Sequence, residues 1–77
     1  MIPYNLSSID AAKRLIRVCE KYSDYFSIDV IYGRQVIDGC SIMGVMSLIG
    51  HIVSLDVSDR ESVKYDDFKR EVKEISL

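Results

Sequence analysis

Ser41-Ile42-Met43-Gly44-Val45-Met46-Ser47-Leu48-Ile49, residues 41–49, is the stretch from which the fold is read. It opens on a serine, whose hydroxyl can accept a hydrogen bond from the first-turn N–H groups of a helix. Large apolar residues follow at 42, 43, 46 and 49, a helical spacing. A short helix is predicted there, closed by Gly50 as a left-handed cap. Such a helix offers an N-terminus that favours negative charge and would suit a phosphate on Ser41. It also offers an adaptable oily surface made by Ile42, Met43, Met46 and Ile49. The plainer reading of the same pattern is a serine cap before a core-facing stripe.

Upstream of this helix, Phe26-Ser27-Ile28-Asp29-Val30-Ile31-Tyr32 alternates and then turns wholly apolar, which suits a strand. Gly33-Arg34 can make a tight turn, and Gln35-Val36-Ile37-Asp38-Gly39 returns as the second strand of a hairpin. Further back, the apolar residues 12, 15, 16, 19 and 22 share one face, opposite Lys13, Arg14, Arg17, Glu20 and Lys21. That pattern predicts an amphipathic helix over about residues 8–24, with Ser7 as N-cap and Asp10 completing a capping box. Residues 2–6 form a first short strand, and Pro3 pushes it toward a strand start or a sheet edge.

Downstream, Ile52-Val53-Ser54-Leu55-Asp56-Val57 alternates as a fourth strand. Ser58-Asp59-Arg60-Glu61 has the form of a second capping box, and Tyr65, Phe68, Val72 and Ile75 mark the buried stripe of a last helix. His51, the only histidine, is expected in the loop after the central helix, its charge set against the helix C-terminus. The order is β-α-β-β-α-β-α, an α+β open-faced sandwich with a four-stranded antiparallel sheet and three helices on one face.

The chain has 77 residues, one domain over 1–77. A hydrophobic content of 48% with 29% charged residues argues against disorder. The net charge of −2 gives no field for nucleic acid or an anionic membrane surface, and no apolar run reaches transmembrane length. Cys19 and Cys40, in a chain showing no targeting segment, read as reduced cytosolic thiols. Cys40 is expected as a small, semi-buried apolar residue. No metal or cofactor constellation is visible, and the chain is expected to be cytoplasmic, as a monomer or weak dimer.

The string SIMGVMSL at 41–48 resembles the regulatory-serine signature of HPr, the phosphocarrier of the bacterial sugar phosphotransferase system. Ile9 and Ala11, the Ile28–Tyr32 strand and its turn fall in register with that family without a gap. The resemblance implies an open-faced β-sandwich of HPr type. HPr proteins carry phosphate on a histidine at the start of the first helix, in a Gly-Ile-His-Ala-Arg-Pro-like motif. Here Asp10 occupies the histidine position, Ala12 the arginine position and Lys13 the proline position. A carboxylate repels an anionic phosphoryl donor, so the resemblance implies a degenerate member that is not an enzyme or a relay carrier.

What survives is the serine. In the family, the serine matching Ser41 is phosphorylated by an ATP-dependent kinase/phosphorylase, and the product docks on a transcriptional regulator of carbon catabolite repression. The resemblance assigns partner contacts to Ile42, Met43 and Met46, with Ile49 at the margin, and Lys13 and Arg14 stand in for the missing arginine. Two other readings remain at this point. One is a binding module of the same fold with no phosphorylation and no link to sugar uptake; the other is a diverged carrier accepting phosphate at Asp10 or His51.

Overall fold

Seven elements follow one another in the expected order: β1 (Ile2–Leu6), α1 (Ile9–Lys21), β2 (Ile28–Tyr32), β3 (Gln35–Asp38), α2 (Ile42–Met46), β4 (His51–Val57) and α3 (Tyr65–Ile75). The structure is a computed structural model and describes residues 1–76. The strands form one antiparallel sheet in the order β1-β4-β2-β3. Because β1 and β2 are both antiparallel to β4, they run parallel with β4 between them, and α1 crosses over. By the same logic α2 crosses from β3 to β4 over β2, giving two interleaved split β-α-β units.

Strand alternation decides which side is covered. Tyr4, Leu6, Ile28, Val30, Val53, Leu55 and Val57 are buried, whereas Pro3, Asn5 and Ile52 between them are exposed. The buried side meets Ala12, Leu15, Ile16 and Cys19 of α1, Val45 of α2, and Phe68 and Val72 of α3. The helices thus lie on one face and the other face is open, an α+β open sheet with three helices. The buried Tyr4 hydroxyl donates to the Ala11 carbonyl oxygen at 2.6 Å and ties β1 to the start of α1. No helix among the described residues is long and apolar enough to cross a membrane.

Several boundaries move. Ser8, not Ser7, caps α1: its backbone is extended and its Oγ accepts from Ala11 N at 3.1 Å. Asp10 is therefore the second helical residue rather than the third, and serves the first turn by charge, not by a capping box. The helix stops at Lys21, because Tyr22 and Phe26 turn inward to stack on each other with ring centroids 5.9 Å apart. The next strand accordingly starts at Ile28, and β3 ends at Asp38 rather than Gly39.

The expected second capping box does not form. Ser58 Oγ accepts from Ser27 N at 2.9 Å, and Asp59 Oδ1 accepts from Glu61 N at 3.1 Å. The first bond ties Ser58 back to the residue before β2 and the second holds a local turn, so the helix begins only at Tyr65 without a side-chain cap. Its stripe is as expected, with Phe68 and Val72 buried and Tyr65 and Ile75 packed partly against the core. His51 is not a loop residue: it opens β4 opposite Leu6 and stacks on Tyr32 with centroids 4.2 Å apart. Gly50 takes the left-handed conformation at φ 100°, and its N–H donates to the Leu6 carbonyl oxygen at 2.7 Å.

Lys21 of α1 pairs with Glu71 of α3. Its ammonium holds the Glu71 carboxyl below the usual carboxylate range, against the opposing effect of burial. A depressed folded-state pKa adds stability above the unfolded value of about 4.3 and loses it as pH falls through the folded value. Lys21 is mostly solvated, so the term is small. Glu71→Gln is expected to flatten the loss of urea midpoint between neutral pH and about pH 3. An unchanged slope would show that the pair contributes nothing on folding.

The open face carries one unfavourable feature. The register sets Asp29 directly opposite both Asp38 and Asp56. Arg60 pairs with Asp56 at 3.2 Å and Asp38 Oδ1 accepts from Cys40 N at 2.8 Å, but Asp29 has no ion-pair partner among the described residues. Like charges directly opposite destabilise a sheet, so Asp29→Asn is expected to stabilise by roughly 0.2–1 kcal/mol. A urea midpoint that stays put or falls would show that the three carboxylates do not repel.

Candidate protein-docking site

The short helix α2 and the turn after it are seated chiefly by residues other than the expected stripe of Ile42, Met43, Met46 and Ile49. Val45 and Leu48 are fully inside the core, while Met46 and Ile49 are half-buried against it. Gly44 rides over Ile37 of β3 so closely that an added Cβ would lie 2.5 Å from Ile37 Cγ2. The expected oily surface therefore divides. Only Ile42 at 58% and Met43 at 86% exposure stand clear of the domain.

The α2 residues that matter for a site are the two facing α1. Ile42 and Met46, one turn apart, close a groove of about 280 Å³ whose other wall is Lys13, Ile16, Arg17 and Glu20. Those four α1 residues have the i, i+3, i+4, i+7 spacing of one helix face. The aliphatic floor is flanked by two cations, Lys13 and Arg17, neither ion-paired among the described residues. Glu20 is the single acidic lining residue.

Of the residues picked from sequence, Lys13, Ile42 and Met46 meet here. Arg14 does not: it lies near the Tyr4 hydroxyl, where its charge opposes the upward push of burial on that phenol. The cation missed was Arg17. Its signal was present, since 13 and 17 are four residues apart on one helix face whereas 14 is rotated away. Met43 and Ile49 also lie outside the groove lining.

Ser41 is exposed at the start of α2. Its N–H donates to the Asp38 carbonyl oxygen at 2.9 Å and its Oγ accepts from Gly44 N at 3.3 Å, so it caps the helix as expected. The helix is only five residues long, which reduces the dipole available to a phosphate. Cys40 beside it is exposed rather than semi-buried. Its thiol is pushed up by burial of the sulfur and then by the nearby Asp38 and Glu20 carboxylates.

Cys19 is buried, its thiol pushed up to about 12 by desolvation first and by Cys40 and the nearby carboxylates after. Both thiols are therefore poor nucleophiles at neutral pH. Asp10 is exposed in the first turn of α1, and His51 is held flat against Tyr32. No group of three or more His, Cys, Asp or Glu residues is placed to hold a metal ion among the described residues. Compared with protein families, curated proteins and solved structures, the chain matches none of them.

Proposed function

We propose that this chain is an HPr-like regulatory domain that binds a protein partner through the α1/α2 groove, not an enzyme and not a histidine phosphocarrier. The observation that carries the reading is the groove itself: paired cations, Lys13 and Arg17, border an aliphatic floor of Ile16, Ile42 and Met46 beside exposed Ser41. A partner presenting carboxylates or phosphate next to an apolar side chain meets both features at once. In this reading Ser41 is the switch, a kinase/phosphorylase its modifier, and a transcriptional regulator of carbon catabolism its reader, in the bacterial cytoplasm and with no cofactor. Asp10 at the histidine position removes the relay chemistry, because a carboxylate repels the incoming phosphoryl group.

A second reading, the same fold binding a partner with no phosphorylation, is favoured by two features at Ser41. Its hydroxyl serves as the helix cap, and Asp38 and Glu20 lie near the adjoining Cys40. Added phosphate would meet like charge there.

Incubation with ATP and a bifunctional HPr kinase/phosphorylase, followed by intact mass and site mapping, separates the two. Phosphate on Ser41, absent from Ser41→Ala, supports the regulatory reading. An unmodified, folded chain supports the second. Label transferred from phosphoenolpyruvate through enzyme I onto Asp10 or His51 would overturn both.

A further inference from the structure

The open side of the sheet answers the groove in both charge and shape. One row across the strands is Pro3, Ser54, Ile31 and Val36; the next is Asp56, Asp29 and Asp38. Val36 at 62% and Ile52 at 68% exposure stand out from this face as aliphatic knobs. The face is therefore aliphatic and acidic, with Arg60 against Asp56 as the only ion pair in its acidic row among the described residues. The groove on the opposite side of the slab is aliphatic and net basic, with Lys13 and Arg17 against the single carboxylate of Glu20.

We propose that two copies of this chain associate head to tail, the open sheet face of one seated on the α1/α2 groove of the next. Charge complementarity selects the second copy as occupant: Asp29 and Asp38 of one face approach Lys13 and Arg17 of the other, and Ile52 or Val36 enters the aliphatic floor. The contact is heterologous, since each copy uses one surface to give and the other to receive. Association therefore continues beyond two copies unless one surface is blocked.

This inference rests on the groove being a docking surface, and neither on Ser41 nor on sugar regulation. Sedimentation velocity of the full chain, from micromolar to millimolar protein, reads it directly. At about 0.01 M salt the weight-average mass is expected to climb with concentration. At about 1 M salt, where the Debye length falls from about 30 to about 3 Å, the climb is expected to be lost.

The charge-reversed groove, Lys13→Glu with Arg17→Glu, is expected to stay monomeric, and so is the charge-reversed face, Asp29→Lys with Ile52→Lys. Mixed in equal amounts, the two variants restore complementary pairs and are expected to recover association. All four positions are outside the buried core, and circular dichroism is the check that each variant folds. Wild type that remains monomeric at millimolar protein and low salt overturns the inference, as does a mixture that stays monomeric. A groove variant that still self-associates shows a symmetric contact and overturns it equally. Ser41 phosphorylation is read on the monomer by mass, so the failure of either idea leaves the other standing.

Discussion

Phe68→Ala is expected to destabilise this domain more than any other single truncation, by about 3–5 kcal/mol. Phe68 has no exposed surface and meets Tyr22 and Phe26 edge-on, with centroids 5.5 and 5.6 Å away. Tyr22 and Phe26 stack on each other, so the three rings form one aromatic plug between the end of α1, the start of β2 and α3. Removing the central ring forfeits its burial, leaves a cavity and breaks two edge contacts at once. A chain of 77 residues has roughly 4–12 kcal/mol of stability to lose, since native proteins hold about 0.05–0.15 kcal/mol per residue. The variant therefore falls to marginal stability or below. Urea denaturation followed by far-UV circular dichroism checks this: a midpoint lower by about 2–5 M is expected if the urea dependence lies near 1–1.5 kcal/mol/M. A loss below about 1 kcal/mol would mean that α3 is not packed into the core, and the three-helix layer would have to be redrawn.

That plug also explains where the sequence could and could not be read. Existence and type of all seven elements follow from periodicity: 12, 15, 16 and 19 in α1, the alternation of 52–57 in β4, and 65, 68, 72 and 75 in α3. These signals arise from local geometry, since side chains of one face recur at the period of the element that carries them. Boundaries failed where tertiary contacts outvoted local chemistry. Tyr22 continues the apolar stripe of α1 in sequence, but the helix ends before it so that its ring can join Phe26 and Phe68. Ser58 has the position of a cap, but it accepts its bond from Ser27, thirty-one residues back. No window along the chain contains that partner.

The candidate site was half legible for the same reason. Ile42 and Met46 were found because helix periodicity and composition pointed to them, and Lys13 because the resemblance puts it beside the family's arginine position. Arg14 was chosen over Arg17 by sequence proximity to Ala12, the position of the family's arginine, whereas the groove takes residues by helix angle. The split of α2 into an exposed pair, Ile42 and Met43, and a half-buried pair, Met46 and Ile49, depends on β3 lying beneath Gly44. Periodicity gives the face of a helix and not the depth to which it sinks. That depth is set by small residues at the crossing points, and Gly39 is the other one.

Gly39→Ala is the prediction that tests this seating. Gly39 is buried and its N–H donates to the Ile28 carbonyl oxygen at 2.9 Å. A Cβ there would lie 2.7 Å from Cys19 Sγ, 3.2 Å from the Ile28 carbonyl oxygen and 3.3 Å from Cys19 Cβ. Cys19 has no exposed surface, so relief of the clash is expected to displace α1 from the sheet. Overpacking of this kind costs typically about 1–3 kcal/mol, against a gain of about 0.4–1 kcal/mol from a stiffer unfolded chain. The net effect is expected to be destabilising. Cys19→Ala removes the nearest obstacle and, on its own, loses about one buried methylene equivalent, about 0.8 kcal/mol. In that background Gly39→Ala is expected to cost less than in the wild type, with a coupling of about 0.5–3 kcal/mol in a double-mutant cycle read by urea midpoint. Rescue stays incomplete because the Ile28 carbonyl and the β-carbon of residue 19 remain close. Strict additivity would show that the clash is relieved elsewhere, by β3 rather than α1. In that case Asp38, Cys40 and Ser41 move together, and the first thing to shift is the approach to the one hydroxyl on which the proposed phosphate switch depends.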